Sequence, residues 1–175
     1  MWGPRALVDP VHSTASIWIE SSPRDLFELV SDLSRWDRLL PHYRYVRILS
    51  RRDGTTHAAM SARRGFFPVF WEALQTVDPE ARTIRFRHVR GITRGMEVLW
   101  SFTPERGGTR ARVDHDLTFR VPLVGRWLSE RVIAREFIEP IVSMTLGRFR
   151  AIAEARVEGP APGARPTVPA GRPVP

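Results

Sequence analysis

The side chains best suited to acid–base chemistry in this sequence are two histidines and a tyrosine, His88, His115 and Tyr43. Each histidine falls on the apolar side of a segment in which hydrophobic and polar residues alternate, as in a strand that buries one face. If the neighbouring hairpins are tight, His88 lies opposite Met96 and His115 opposite Val98, so the two imidazoles share one wall. A histidine whose pKa lies near neutrality can shuttle a proton during an aldol closure or a dehydration. The alternative is a pair of core histidines that hydrogen-bond to the backbone or to water.

Tyr43 follows two short predicted helices, where its phenol can point into the mouth of a cavity. It would there donate a hydrogen bond to a carbonyl or quinone oxygen, and packing beneath the helices is the alternative role. No third ligand accompanies the two histidines, and the sequence has no cysteine, nucleophile elbow or phosphate-binding glycine loop. We therefore expect neither a metal nor a cofactor.

Large apolar side chains lie on the same faces of the predicted strands as the two histidines. This pattern indicates an interior lined by aromatic and methionine side chains. Trp71 and its neighbour Glu72 must face opposite ways on a strand, and we expect the indole to face inward. Such a wall is typical of a plain core, but beside a cavity it also suits a flat ligand. The predicted ligand-contacting residues are Trp36, Met60, Trp71, Phe86, Met96, Val98, Trp100, Leu117, Val142, Thr145 and Phe149.

The elements that must position these residues are mostly strands. A first strand, Val11 to Glu20, is followed by two helix starts, Ser22 to Asp25 and Ser34 to Asp37, in which a serine serves as the cap. Six further strands follow from period-two alternation, and the turn residues between them indicate antiparallel hairpins. They run over Tyr43 to Arg51, Thr55 to Arg63, Val69 to Val77, Thr83 to Val89, Met96 to Thr103 and Thr109 to Val121.

The last apolar stretch, Trp127 to Val157, predicts a long C-terminal helix. Because Pro140 lacks an amide proton, we expect a short lead-in helix and then a restart with Pro140 in the first turn. From Pro140 to Val157 the helix would extend about 27 Å, enough to span a small sheet. Its apolar stripe consists of Ile138, Val142, Thr145, Phe149 and Ile152.

This order of elements predicts an α+β fold in which a bent antiparallel sheet of about seven strands wraps around the C-terminal helix, with two short helices after strand 1. A helix is narrower than the concave face of such a sheet, so a cavity remains between them. We expect the folded domain to span residues 11–158, after an N-terminal arm at 1–10. The proline- and glycine-rich tail at 159–175 is predicted to be disordered.

The element order, together with Ser21 to Phe27, Asp32 to Trp36 and Leu40-Pro41, resembles the helix-grip superfamily. That superfamily, also called SRPBCC or START-like, includes START-related proteins, polyketide cyclases and birch-pollen-type allergens. Within it the chain is similar to the bacterial polyketide cyclase/dehydrase and coenzyme-Q-binding branches, and the likeness covers about Val11 to Val157. The resemblance implies a cavity that binds a hydrophobic small molecule.

Against the aromatase/cyclases of aromatic polyketide synthesis the chain shows one clear departure. Matching aromatic residues are Trp36, Tyr43, Trp71 and Trp100, and Glu72 also matches. The arginine which those enzymes place at the end of the Trp-Glu strand aligns with Val77, so the group thought to polarise the polyketide's oxygens is missing. A second pocket arginine aligns with Arg87, but alternation points Arg87 outward unless a bulge reverses it.

The net charge of +8 comes from arginine alone, since the sequence has no lysine. The strand arginines alternate with apolar residues, as on a solvated sheet face, and no recognition-helix or aromatic RNA-binding pattern accompanies them. No contact with nucleic acid is expected. No apolar run is long enough to span a membrane and the start lacks a signal peptide's apolar core, so we expect a cytoplasmic protein. Nothing in the sequence indicates an oligomeric state.

Three functions remain open. The first is a polyketide cyclase/dehydratase-like enzyme in which Tyr43, His88 and His115 handle protons. The second is a non-catalytic carrier for a lipid or coenzyme Q, and the third is a basic surface module for nucleic acid. The shortage of inward-facing charge favours binding of a hydrophobic ligand. The segment Arg63 to Phe67 is either a plain loop or an amphipathic lip that transiently contacts a membrane or a carrier protein.

Overall fold

The computed structural model describes residues 11–117 and 138–157. The strands are β1 Val11–Ile19, β2 Tyr43–Arg52, β3 Thr55–Arg64, β4 Phe67–Asp78, β5 Thr83–Gly91, β6 Met96–Glu105 and β7 Gly108–Leu117. The helices are α1 Pro23–Ser31, α2 Trp36–Leu39 and α3 Glu139–Val157. Four predicted features lie outside the described residues: the N-terminal arm, the lead-in helix, the end of the last strand beyond Leu117 and the tail at 159–175. The predicted domain limits therefore remain a prediction.

The seven strands form one antiparallel sheet in the order β1-β7-β6-β5-β4-β3-β2. From β2 to β7 each strand pairs with the next along the chain, because only short turns separate them. β1 pairs with β7, and Ile19 lies opposite Thr109. Helix α3 contacts β1, β3 and α1, so it crosses the concave face of the sheet. This arrangement confirms the predicted helix-grip fold.

The two helix starts differ in how they are capped. The Ser22 hydroxyl accepts the backbone N–H of Asp25 at 3.1 Å and caps α1, as predicted. The predicted cap at Ser34 is wrong: the Asp32 carboxylate accepts the backbone N–H of Ser34 at 3.1 Å and begins a 3₁₀ turn over Leu33–Arg35 that leads into α2. Asp32 also accepts the Ser34 hydroxyl, because a carboxylate is the stronger acceptor of the two side chains.

Helix α3 carries Pro140 in its first turn, where the missing amide proton leaves no hydrogen bond unmade. Its buried face is slightly broader than the predicted stripe, and Ile152 is only half-buried at its edge. The residues of this stretch that are buried against the sheet and α1 are Ile138, Val142, Thr145, Leu146, Phe149 and Ala153.

Strand β5 contains a bulge beside the site. Glu72 pairs with Arg90 and Ala73 pairs with His88, so Val89 is the extra residue on β5. The bulge lies beyond Arg87 and leaves its orientation unchanged: Arg87 is exposed, whereas Phe86 and His88 are buried. The outward orientation predicted for Arg87 is therefore confirmed.

Gly91 ends β5 at a point where a side chain cannot be accommodated. Its φ is +91°, and an added Cβ would lie 2.2 Å from the carbonyl oxygen of Phe70. We expect Gly91→Ala to lower the free energy of unfolding by about 2 kcal/mol or more, from backbone strain and the close approach. Gly107 has φ +76° and open space, so Gly107→Ala is a matched control expected to cost about 1 kcal/mol. Urea unfolding measures both changes. Equal decreases in the free energy of unfolding in the two variants would contradict the close approach of Gly91 to the Phe70 carbonyl.

Candidate ligand-binding site

A cavity of about 510 Å³ lies between the concave face of the sheet and α3. Trp71 from β4, Phe86 from β5 and Val98 from β6 form its floor, and Val142 and Thr145 of α3 form its roof. Twelve of the residues predicted from the sequence line this cavity. They are Trp36, Tyr43, Met60, Trp71, Phe86, His88, Met96, Val98, Trp100, His115, Val142 and Thr145.

The other two predicted residues are Phe149 and Leu117. Phe149 is fully buried behind the cavity, where its ring centroid lies 5.6 Å from that of Trp36 and 6.2 Å from that of Trp100. It supports the wall from behind. Leu117 pairs through its backbone with Met96 and Val11, but its side chain lies outside the described residues.

The residues at the mouth of the cavity and two isoleucines of the helix segment were not among the predicted ligand contacts. Ile138 had been assigned to the apolar stripe of the helix, and Ile141, three residues further on, lies at the edge of the same face. Thr93 sits in the β5–β6 turn, where no periodic pattern exists to orient a side chain. The lining residues that were missed are Pro68, Val69, Phe70, Gly91, Ile92, Thr93, Ile138 and Ile141.

Trp36 is the centre of the aromatic wall. Its ring lies 5.6 to 6.1 Å, centroid to centroid, from the rings of Tyr43, Phe86, Trp100 and Phe149. Its indole N–H donates to the Val30 carbonyl at 2.9 Å, which satisfies a polar group that would otherwise be buried without a partner. The wall is therefore held in one arrangement by edge-to-face contacts and a hydrogen bond.

His88 is held in place on two sides. Its Nδ1 lies 2.6 Å from the Thr93 hydroxyl, and its ring stacks on Trp71 with an interplanar angle of 2°. Burial, followed by the charge on nearby His115, lowers the pKa of His88 to about 3. His88 is thus a neutral, oriented hydrogen-bonding group at pH 7.

His115 lies opposite Val98, as predicted, and is 5% exposed. Burial lowers its pKa to about 4, and the opposing effects of the Ser13 backbone and nearby Asp114 do not offset this. Within the described part of the chain its Nδ1 has no hydrogen-bond partner. The ring also borders a smaller pocket of about 170 Å³ that Ser13, Glu139 and Ser143 help to line.

Tyr43 lies beside a short polar chain on the helix side of the cavity. The Thr145 hydroxyl donates to the Ile141 carbonyl at 2.7 Å, so it must accept at 2.8 Å from Nε2–H of His42. Burial raises the pKa of Tyr43 well above its usual value, and the nearby Thr145 hydroxyl offsets this only in part. The phenol therefore keeps its proton at neutral pH and can donate a hydrogen bond.

The two buried histidines make stability depend on pH. Because each is neutral when folded and readily protonated when unfolded, the unfolded chain binds more protons between about pH 4 and 6.5, and stability falls as the pH falls. We expect each histidine to lower the free energy of unfolding by about 2 kcal/mol at pH 5 relative to pH 7. Urea unfolding at both pH values measures this. In His115→Gln the decrease in the free energy of unfolding between pH 7 and pH 5 should be about half of that in the wild type. A decrease as large as in the wild type would contradict this explanation.

Charged side chains are absent from the described lining of the cavity, and the arginines of β5 and β7 lie on the opposite face of the sheet. Val77, the position at which the sequence resemblance led us to expect a missing arginine, is half-buried against the core. On the outer face the guanidinium groups pair with carboxylates at 2.7 to 3.6 Å, which leaves less free positive charge for a nucleic acid than the net charge implies. These pairs are Arg85–Glu97, Arg90–Glu72, Arg110–Glu105 and Arg112–Asp114.

Residues 11–117 and 138–157 contain neither a metal-ligand cluster nor a membrane-spanning helix. No group of three or more histidine or acidic residues there could hold a metal ion. None of the helices described is both long and apolar enough to cross a bilayer.

Comparison with known proteins places this geometry in a family. The model of the family "Polyketide cyclase / dehydrase and lipid transport" matches residues 19–146. The chain is 27% identical over 99 residues to the actinorhodin polyketide synthase bifunctional cyclase/dehydratase of Streptomyces coelicolor. That match covers 55% of this chain and 31% of the relative, so the chain spans about a third of that protein's length.

Solved structures share the fold. The crystal structure of the Zhui aromatase/cyclase from Streptomyces sp. R1128 superposes with a TM-score of 0.77 at 18% identity, over 86% of this chain and 97% of that one. A START superfamily protein from Mycobacterium smegmatis superposes with a TM-score of 0.62 at 17% identity, over 81% of this chain and 98% of that one. From the match of the family model across most of the described fold, the chain belongs to the polyketide cyclase/dehydrase and lipid transport family.

Proposed function

We propose that the protein binds a flat, hydrophobic, oxygen-bearing small molecule, such as a polyketide, a quinone or a lipid, in the cavity between the sheet and α3. The observation that carries the proposal is the cavity itself: about 510 Å³ enclosed by aromatic and aliphatic side chains. This volume is within the range of pockets that enclose small ligands. An apolar wall with a few placed polar atoms favours a ligand that is mostly hydrocarbon and oriented by a few hydrogen bonds.

The polar atoms of the wall supply those hydrogen bonds. His88 and Thr93 lie together on the β5 side, and Thr145 lies on the helix. His115 Nδ1 is buried without a partner among the described residues, and a buried polar atom left in this state costs about 1 to 3 kcal/mol. Nδ1 has almost no accessible surface, so the His115 ring must turn toward the cavity before a ligand hydroxyl can pair with it; we place the oxygen-bearing end of the ligand against His115 in that orientation.

This placement can be tested with a matched pair of probes, 2-naphthol and naphthalene. The naphthol hydroxyl both donates and accepts, so it can pair with Nδ1 in either tautomer. We expect wild-type protein to bind 2-naphthol about tenfold more tightly than naphthalene, and His115→Phe to reduce that preference to near unity. Fluorescence titration measures both. If neither probe bound, the proposed function of the cavity would be wrong. If both probes bound equally well, only the proposed role of His115 would be wrong.

A second candidate function is catalysis of the cyclase/dehydratase type. It is favoured by the match to the Streptomyces coelicolor cyclase/dehydratase and by three proton-bearing groups around one cavity, Tyr43, His88 and His115. Their shifted pKa values argue against free proton transfer at pH 7 in the ligand-free protein, because both imidazoles are weak bases and the phenol is a weak acid. We therefore propose binding of an oriented ligand as the main function and catalysis as the second candidate.

Extraction of the purified protein followed by mass spectrometry separates the two functions. A co-purified quinone or lipid supports a carrier. Protein recovered without ligand that cyclises a polyketone, and loses this turnover in His88→Ala and His115→Ala, supports the enzyme. Turnover that survives both substitutions would exclude the assigned proton-handling roles.

A further inference from the structure

Two hairpin turns at the mouth of the cavity expose large apolar side chains to solvent. Phe66, at the tip of the β3–β4 turn, is 99% exposed. Phe70 on β4 is 47% exposed, and Ile92 in the β5–β6 turn is 51% exposed. We call Phe66, Pro68, Phe70 and Ile92 the mouth patch; the last three also line the cavity.

The parts of the mouth patch are held together by the sheet. Gly91 pairs with Trp71 and approaches the Phe70 carbonyl so closely that no Cβ would fit, which brings Ile92 next to Phe70. Arg64 pairs with Phe67, so only Gly65 and Phe66 form the turn, and Phe66 extends beyond the end of two paired strands. The patch is therefore a fixed protrusion beside the cavity mouth.

The two chain segments that form the mouth patch carry only positive charge. The segments 61–71 and 91–96 contain Arg63, Arg64 and Arg94 and no aspartate or glutamate. Arg63 and Arg94 are exposed. Arg90, in contrast, is paired with Glu72 at 3.0 Å and contributes little free charge. Apolar tips flanked by exposed arginines are complementary to a lipid bilayer, in which anionic headgroups overlie an apolar interior.

We propose that the mouth patch docks on an anionic lipid surface, with Phe66 inserted among the headgroups and Arg63 and Arg94 in contact with lipid phosphates. A lipid surface fits better than an acidic protein, because a narrow hairpin tip offers no broad or concave face for a folded partner. Docked in this way, the cavity mouth faces the bilayer, and a hydrophobic ligand can enter without crossing water. The docking surface goes beyond the proposed ligand binding and does not depend on it.

Co-sedimentation with sucrose-loaded vesicles tests the proposal on the full chain. Wild-type protein should sediment with phosphatidylcholine vesicles that contain phosphatidylglycerol, and much less with phosphatidylcholine alone. Phe66→Ser should weaken partitioning into anionic vesicles about tenfold. In the double variant Arg63→Gln with Arg94→Gln, the loss of each arginine should weaken partitioning by a further factor of about five. Leu49→Ser is the matched apolar control, since Leu49 is 51% exposed on β2 and does not line the cavity. Arg51→Gln with Arg52→Gln is the charge control, at the opposite end of β3 from the mouth turn.

A single-site label gives a second measurement. The chain has no cysteine, so Phe66→Cys and Leu49→Cys each provide one position for an environment-sensitive fluorophore. We expect a blue shift on addition of anionic vesicles at position 66 and none at position 49. Absence of wild-type binding, equal losses in the control variants, or no shift at position 66 would overturn the proposal. Saturable binding of an acidic protein without vesicle binding would overturn it in favour of a protein partner.

Discussion

Val98→Trp is expected to weaken the binding of 2-naphthol by at least about a hundredfold. Val98 lies at the centre of β6, opposite His115, with its side chain buried in the cavity wall. An indole at this position would occupy the space proposed for the ligand's ring system, and bound rings cannot share that volume. Because the indole fills existing space, the melting temperature should stay within a few degrees of the wild type. Fluorescence titration and thermal unfolding measure the two effects.

Leu99→Trp is the matched control for this substitution. Leu99 is the next residue on β6, so its side chain lies on the opposite face, and it does not line the cavity. The control should bind 2-naphthol as wild type does. If Val98→Trp bound the probe normally, or if both variants lost binding together, the ligand would not occupy the cavity between sheet and helix.

The second large effect is on stability: Trp36→Ala should lower the free energy of unfolding by about 3 to 5 kcal/mol. Trp36 is 3% exposed and contacts four aromatic rings, so its removal leaves a large void at the point where α2, the sheet and α3 meet. The substitution should also broaden the cavity and weaken ligand binding, because the rings it supports line the same wall. Urea unfolding measures the loss.

Two further variants serve as comparisons for Trp36→Ala. Trp36→Phe keeps a ring but removes the indole donor to Val30, and should cost about 1 to 3 kcal/mol. Trp18→Ala tests a tryptophan that is only half-buried and that donates to the Glu105 carbonyl at 2.8 Å. It should cost less than Trp36→Ala. An equal cost for both alanine variants would show that Trp36 has no special place in the core.

The strands and most of the cavity wall were predictable because alternation determines which side chains face inward. Once β5 and β6 were assigned, Phe86, His88, Val98 and Trp100 had to share a face, and the observed register places them so. Pro140 similarly located the start of α3 through its missing amide proton. These predictions rest on local rules that tertiary packing did not override.

Other features depend on three-dimensional context that periodicity does not contain. Asp32 begins the second helical segment in place of Ser34 because its carboxylate accepts both the backbone N–H and the hydroxyl of Ser34, a local contact that the helix-start pattern does not contain. Thr93 reaches the cavity from a turn, and it does so only because the β5 bulge and Gly91 direct that turn toward His88. The hypothesis of near-neutral histidines also overlooked burial, which lowers both pKa values.

The most direct test of ligand binding between sheet and helix uses methyl-¹³C methionine NMR during titration with 2-naphthol. Met60 and Met96 are buried and line the cavity, whereas Met144 is 41% exposed on α3 and does not. Substitution of each methionine by leucine assigns the signals. The account predicts that the ligand shifts the Met60 and Met96 methyl signals and leaves that of Met144 in place. Unchanged Met60 and Met96 signals under saturating ligand, or a shift confined to Met144, would contradict it.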